Sequence, residues 1–348
     1  MKPILLLATA ALAVVGCQEE KKEVAQAEAE KTPGIDLQYM DTTVSPKNNF
    51  YDYVNGTWMK ETEIPEDRTS WGGFQVLRKS TDEDVLKILD DAAESGKYKS
   101  GSDQAKAIAL FNAKLDTVGR NEEGLKPLQP ALEKISKIEN VEDLQETMAN
   151  HYATVSDPFF GIAAFSNPSD SNMNSAYITP GSLGLPNKEY YTDQDEKSKE
   201  IRQQYVDHIT RMLQYLGDSE ESAKKQAEEI LAFETRLAEP RLDKVASRDF
   251  RNFNNPKTIA EIQEMVPAID WKKYISDLGV EKELDTIIVM QPKYMEELQK
   301  VLAEGDVDKW KTVMRWSTLN NAAGRLTTEL DKANWDFYSK TLNGAKKM

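Results

Sequence analysis

The stretch NNFYDYVNGTWMK occupies residues 48–60 and sets Phe50, Tyr51, Tyr53 and Trp58 around Asn55-Gly56. Rings at this density carry large apolar area, and Tyr and Trp add a hydrogen-bonding tip. Asn-Gly suits positive φ, so the pair is expected to turn the chain sharply after a short helix. The whole segment is expected to dock, ring by ring, into a hydrophobic seat. On that reading Phe50, Tyr53, Asn55, Gly56 and Trp58 are packing residues rather than ligand contacts.

Upstream lies MKPILLLATAALAVVGC, with Lys2 as a minimal basic region and an apolar run from Ile4 to Val15. That run is too short to span a bilayer, which needs about 20 helical residues, and it reads as a signal peptide over 1–16. Its end, Val14-Val15-Gly16-Cys17, resembles a bacterial lipobox. The resemblance implies cleavage before Cys17, lipidation there, and, with Gln18 following, delivery to the outer membrane or periplasmic face of a two-membrane bacterium. Cys17 is the only cysteine, so no internal disulfide can form. Residues 17–34 are charged and alanine-rich. They cannot bury enough apolar surface to offset ordering entropy, so they read as a tether.

Downstream, residues 35–79 form an aromatic-rich leading segment, and a helical domain is expected over 80–348. Ser80 to Glu83 has the form of a capping box. Val85, Leu86, Leu89, Ala92 and Ala93 then give an apolar stripe ending at Gly96. Ile201, Tyr205, Ile209, Met212, Leu213 and Leu216 share one face, stopped at Gly217. Ala223, Ala227, Ile230, Leu231, Glu234 and Leu237 share another, stopped before Pro240. Between them, residues 157–191 lose helical period and are rich in Gly, Pro, Ser and Asn. Runs at Phe159–Phe165 and Ser175–Thr179 predict a β-hairpin. Asp285–Val289 reads as a short extended run, and Pro292 as the first turn of a helix. The expected fold is mainly α: a multi-helix lid-type domain with a small β-hairpin insertion.

Chemistry is sparse. The 348 residues hold 44 Lys+Arg against 59 Asp+Glu, a net charge of −15, which repels phosphate backbones and argues against nucleic acid. His151 and His208 are the only histidines and belong to no HExxH, HxxxH or HxH pattern, so local spacing offers no zinc site. No nucleophile elbow and no P-loop occur. Paired acids such as Glu220-Glu221 read as solvated helix faces.

Motifs in order carry more. Phe50-Tyr51-x-Tyr53-Val54-Asn55-Gly56-x-Trp58 is followed by Ile64-Pro65 and by Trp71-Gly72-x-Phe74-x-x-Leu77-Arg78. Then come Leu183-Gly184-Leu185-Pro186-Asn187-Lys188-Glu189-Tyr190-Tyr191, Glu234 with Leu237-Ala238, Arg248-Asp249, Pro267 to Trp271, Pro292-x-Tyr294, and Met314-Arg315-Trp316. From about Asp41 onward the series resembles the N-terminal region of the neprilysin, endothelin-converting-enzyme and bacterial oligopeptidase family of zinc metallopeptidases. Leu185 and Pro186 read as a rigid turn, and Tyr190 and Tyr191 as packing residues.

The resemblance implies zinc in the full-length family, held by an HExxH helix and a later glutamate, and small peptides as substrates. This chain shows neither motif before Met348, so no catalytic or metal residue and no cofactor is assigned to it. It is expected to be inactive alone and to need a C-terminal catalytic lobe as partner. One substrate-edge position is implied: Arg78 matches the second of two family arginines that can meet a peptide carboxylate. The first falls on Ser70, and an ion pair is the alternative role for Arg78. Two functional readings follow. One is the access-limiting part of a neprilysin-like endopeptidase. The other is a stand-alone peptide-binding or scaffolding lipoprotein without catalysis.

Overall fold

The computed structural model describes residues 34–150, 157–281 and 284–348. Cys17, His151, the signal-peptide expectation and nearly all of the tether lie outside them. The chain divides into two compact units, Met1–Glu63 and Ile64–Met348.

In the first unit, α1 (Phe50–Glu61) is capped by Asn49, whose side chain accepts from the Asp52 N–H. Asn55-Gly56 lies inside this helix, not at a turn. The glycine is there for a close approach instead: a Cβ at Gly56 would stand 2.7 Å from Asp41 Cβ. Asp41 is buried, takes its own N–H to the Tyr53 carbonyl at 2.9 Å, and pairs with Lys60 at 2.5 Å. The Lys60 ammonium and the Thr43 hydroxyl hold its carboxyl down at about 2. The expected hydrophobic seat is not found among the described residues of this unit. Phe50 and Tyr51 are 67% and 60% exposed, and Gly56 is the only buried residue of α1. The rings meet each other instead: Phe50 with Tyr53, and Trp58 with Tyr39.

The second unit opens with α2 (Gly73–Ser95), stopped by Gly96 at φ 59°. Ser80 therefore sits within a helix that starts earlier, and the expected capping box does not form. α3 (Asp103–Leu115) and α4 (Thr117–Glu123) follow. Neither α2, α3 nor α4 contains a buried residue. Arg120 nonetheless ties α4 to the body through the Leu326 carbonyl at 2.8 Å and Asp331 at 3.4 Å.

α5 (Gln129–Ser136) and α6 (Val141–Asn150) lead into strands β1 (Phe160–Asn167) and β2 (Asp170–Pro180). These pair antiparallel, Ile162 opposite Ile178, as the sequence predicts. Asn167 Oδ1 closes the turn by accepting from the Ser169 and Asp170 N–H groups. Then come α7 (Glu189–Thr192), α8 (Glu196–Tyr215), α9 (Glu220–Ala238), β3 (Pro256–Lys257), α10 (Ile259–Met265), α11 (Trp271–Asp277) and β4 (Ile287–Val289). The helices α12 (Pro292–Ala303), α13 (Val307–Ala322) and α14 (Thr328–Trp335) complete the unit.

The hairpin belongs to a larger sheet than expected, in order β1-β2-β4-β3. β4 runs parallel to β2, Ile178 opposite Val289, and β3 pairs antiparallel with β4. An all-buried Ile-Ile-Val strand is the composition a parallel neighbour demands. The fold is mainly α with this small sheet set into it.

The core explains the periodicities. α8 is capped by Asp195 and α9 by Ser219, each accepting from the third residue onward. Their facing stripes, Tyr205, Ile209, Met212 and Leu213 against Ala223, Ala227, Ile230 and Leu237, are fully buried. Each such aliphatic side chain contributes about 1.5–3 kcal/mol on leaving water. Phe160 carries the sheet into the same core, 5.1 Å from both Trp271 and Tyr274.

Candidate functional site

The loop Leu183–Asn187 between β2 and α7 is held from below by a buried carboxylate. Glu234, 5% exposed, projects from the apolar face of α9. Its Oε2 accepts from the Tyr191 hydroxyl at 2.7 Å and the Tyr205 hydroxyl at 2.9 Å. The Gly184 N–H and the Trp316 indole also favour its charged form. Tyr191 in turn accepts from the Leu185 N–H at 2.8 Å, and Tyr205 accepts from Trp316 Nε1 at 3.2 Å. Burial outweighs these donors and pushes the Glu234 carboxyl up to about 7. Burial first, and then the Glu234 charge, pushes both tyrosine hydroxyls well above their ordinary range.

Gly184 is required by contact. A Cβ there would fall 1.6 Å from the Tyr205 hydroxyl. Leu185 is buried beside it, whereas Pro186 is exposed. Tyr191 is buried. Tyr190 is half-buried, with the Lys244 ammonium 5.9 Å over its ring and its carbonyl accepting from Arg202. A second knot lies at the far end of the loop. Tyr294 of α12 donates to the Phe159 carbonyl at 2.5 Å and accepts from the Gly181 N–H at 3.2 Å, joining the ends of β1 and β2.

Arg78 lies on α2, exposed, and makes no ion pair among the described residues. One turn before it, Phe74 is 90% exposed, and Leu77 and Ile88 also face solvent. Leu110 and Leu115 do the same on α3. Ser70 only accepts from the Gln75 amide. Among the described residues Arg78 makes no hydrogen bond or ion pair with the LGLP loop and is not in the wall of the concavity beside it.

Sequence reading missed the partnership of Glu234 with Tyr191, Tyr205 and Trp316. A signal was present: Glu234 is an acid on an otherwise apolar stripe. It also missed Asp157, whose Oδ1 caps the Phe159 and Phe160 N–H groups while Oδ2 stays buried without a partner. Burial pushes its carboxyl up to about 7.

This mainly α chain with its locked LGLP loop falls in the class of neprilysin-like metallopeptidase modules. The chain belongs to peptidase family M13, whose N-terminal model matches residues 46–348. It is similar to endothelin-converting enzyme 1 of Cavia porcellus, 25% identical over 323 residues, covering 89% of this chain and 42% of that protein. The Homo sapiens protein of that name is 26% identical, with 99% and 46% covered. Among solved structures, the Mycobacterium tuberculosis zinc metalloprotease Zmp1 in complex with inhibitor superposes with a TM-score of 0.83 at 28% identity, covering 90% of this chain and 48% of that one. The chain thus spans less than half the length of these relatives.

The family depends on zinc. Among the described residues, no group of three or more His, Cys, Asp or Glu side chains could hold a metal ion. His208 is 6% exposed, stacked 4.8 Å from Phe337 and flanked by Trp316 and Tyr338. Burial draws its pKa down to about 3, and its Nε2 has no hydrogen-bond partner. These surroundings do not fit a zinc ligand, and no step through the metal follows from them. No helix among the described residues is long and apolar enough to cross a membrane.

Proposed function

We propose that this chain forms the access-limiting part of a neprilysin-like zinc endopeptidase that acts on small peptides, with the catalytic HExxH lobe supplied outside these 348 residues. The observation that carries the reading is the solvent-facing apolar row of α2 and α3. Phe74, Leu77, Ile88, Leu110 and Leu115 are each at least 61% exposed. Large apolar side chains left in solvent in this number along two successive helices favour an interaction surface. Apposed to a peptidase lobe, the two helices would wall off the reacting groups and admit only chains thin enough to pass. Arg78, on the same helix, would stand at the edge of that space and could pair with a substrate carboxylate.

The domain limits drawn from the sequence belong to this proposal: signal peptide 1–16, tether 17–34, leading segment 35–79 and lid domain 80–348. A lipid on Cys17 would hold the protein at the cell envelope, on the outer membrane or the periplasmic face of a two-membrane bacterium. Buried acyl chains contribute about 0.8 kcal/mol per methylene, so several chains anchor firmly.

Reading the gene beyond codon 348 tests the first part. An in-frame HExxH supports it, and its absence from every nearby frame counts against it. Purified chain should leave fluorogenic peptides uncut with zinc added. Chelator-sensitive cleavage by material free of other proteases refutes the reading. Metabolic labelling with palmitate should mark the wild type and not Cys17→Ser.

A further inference from the structure

A concavity of about 440 Å³ opens beside the LGLP loop, with Leu183, Pro186, Asn187, Lys188, Arg241 and Gln291 in its wall. Arg241 is fixed there. Its guanidinium lies 4.9 Å over the Tyr294 ring, Nη2 donates to the Gly181 carbonyl at 2.5 Å and Nε to the Leu237 carbonyl at 3.3 Å. The Lys188 ammonium is held in the same way, by the Glu239 and Arg241 carbonyls. Carbonyls orient a cation without neutralising it. Among the described residues neither Arg241 nor Lys188 has a carboxylate within ion-pair distance. Arg120, Arg236 and Arg315 are each paired, with Asp331, with Glu297 and Glu304, and with Asp218. Asp243 is the acid that feels Lys188, and its carboxylate is taken up by the Val245 and Ala246 N–H groups at 2.8 Å. Two cations without a contact ion pair in one pocket stand out in a chain of net charge −15, although the Asp243 charge lies close enough to feel Lys188.

We infer that this pocket receives a free carboxylate, such as that of a peptide C-terminus or an N-acyl amino acid. The carboxylate sits between Arg241 and Lys188, in the fork geometry a stacked guanidinium presents. Leu183 and Pro186 offer apolar wall to the group that bears it. Arg78 is not part of this pocket, and the inference needs neither the catalytic-lobe proposal nor the lipid anchor.

The test is calorimetric titration of the 348-residue chain with N-acetyl-Ala-Ala and with its C-terminal amide. The free acid should bind at least tenfold more tightly. Lys188→Met and Arg241→Met should each remove that preference, and Lys224→Met, at an exposed cation of α9 outside the pocket, should leave it unchanged. Arg241 also braces Gly181, so circular dichroism accompanies the titrations. If Arg241→Met is unfolded, Arg241→Lys replaces it and should weaken the acid alone, because an ammonium cannot reproduce the fork. Equal binding of acid and amide, no binding of either, a preference that survives in Lys188→Met or in a folded Arg241→Met, or one that is lost in Lys224→Met overturns the assignment.

Discussion

Replacing Glu234 with glutamine should change how stability depends on pH more than it changes stability at any single pH. The folded carboxyl sits at about 7 against an ordinary 4.5, with burial as the first cause. A raised folded pKa means the native state holds the proton more tightly than the unfolded chain does. The stabilising contribution is therefore complete below about pH 4.5, is lost as pH rises, and is gone above about 7. At about 1.4 kcal/mol per pH unit, that interval amounts to about 3 kcal/mol. Glu234→Gln cannot titrate, so wild type and variant should diverge by this amount across the window. Taking their difference cancels His208 and Asp157, which titrate in or near the same range. Urea unfolding followed by tryptophan fluorescence from pH 4.5 to 8 measures it, and Trp316 reports directly because it touches the network. Parallel curves for the two proteins would refute the reasoning, since they would mean that Glu234 ionises as if in water.

Four further outcomes follow from contacts already described. Gly184→Ala drives a methyl into the Tyr205 hydroxyl and should cost about 3 kcal/mol or more, read as a lowered urea midpoint. Tyr294→Phe removes one partner each from the Phe159 carbonyl and the Gly181 N–H, which still bond each other at 3.2 Å, and should cost about 1 kcal/mol in the same urea series. His208 is held near 3 against an ordinary 6.5, so its contribution is present above pH 6.5 and lost as pH falls towards 3, about 5 kcal/mol in all. His208→Phe should lack that acid-side loss in the same unfolding series. Phe74→Ser, on the solvent face of α2, should shift stability by no more than about 0.5 kcal/mol while lowering binding of a hydrophobic dye. A larger loss would show that the ring is packed.

Elements whose signal is local could be read from the residues. The stripes of α8 and α9, the stop at Gly96, the hairpin and the helix start at Pro292 all follow from period or from one residue's backbone preference. What could not be read depends on contacts distant in sequence. Ser80 to Glu83 has a capping pattern, yet Phe74 and Leu77 extend the helix ahead of it, and propagation outweighs the cap. Asn55-Gly56 has turn chemistry, but the approach of Asp41 selects a helix that needs the glycine's missing Cβ. β4 is three residues long, and nothing near it in the chain names β2 as its neighbour. In the candidate site, the LGLP motif and Glu234 were both visible. Their meeting through Tyr191 and Tyr205 was not, because it joins helices that only the tertiary fold brings together.

The parallel pairing of β4 with β2 also bears on how this polypeptide folds. Tyr177 and Ile178 must wait for Ile288 and Val289, so one edge of the hairpin stays open while α7 to α11 are being synthesised. Pairings of such high contact order are slow to form, and an exposed strand edge invites intermolecular association. Nascent chains stalled or cut before β4 should therefore aggregate through β2, and the ribosome must release every residue up to Val289 before that edge can close.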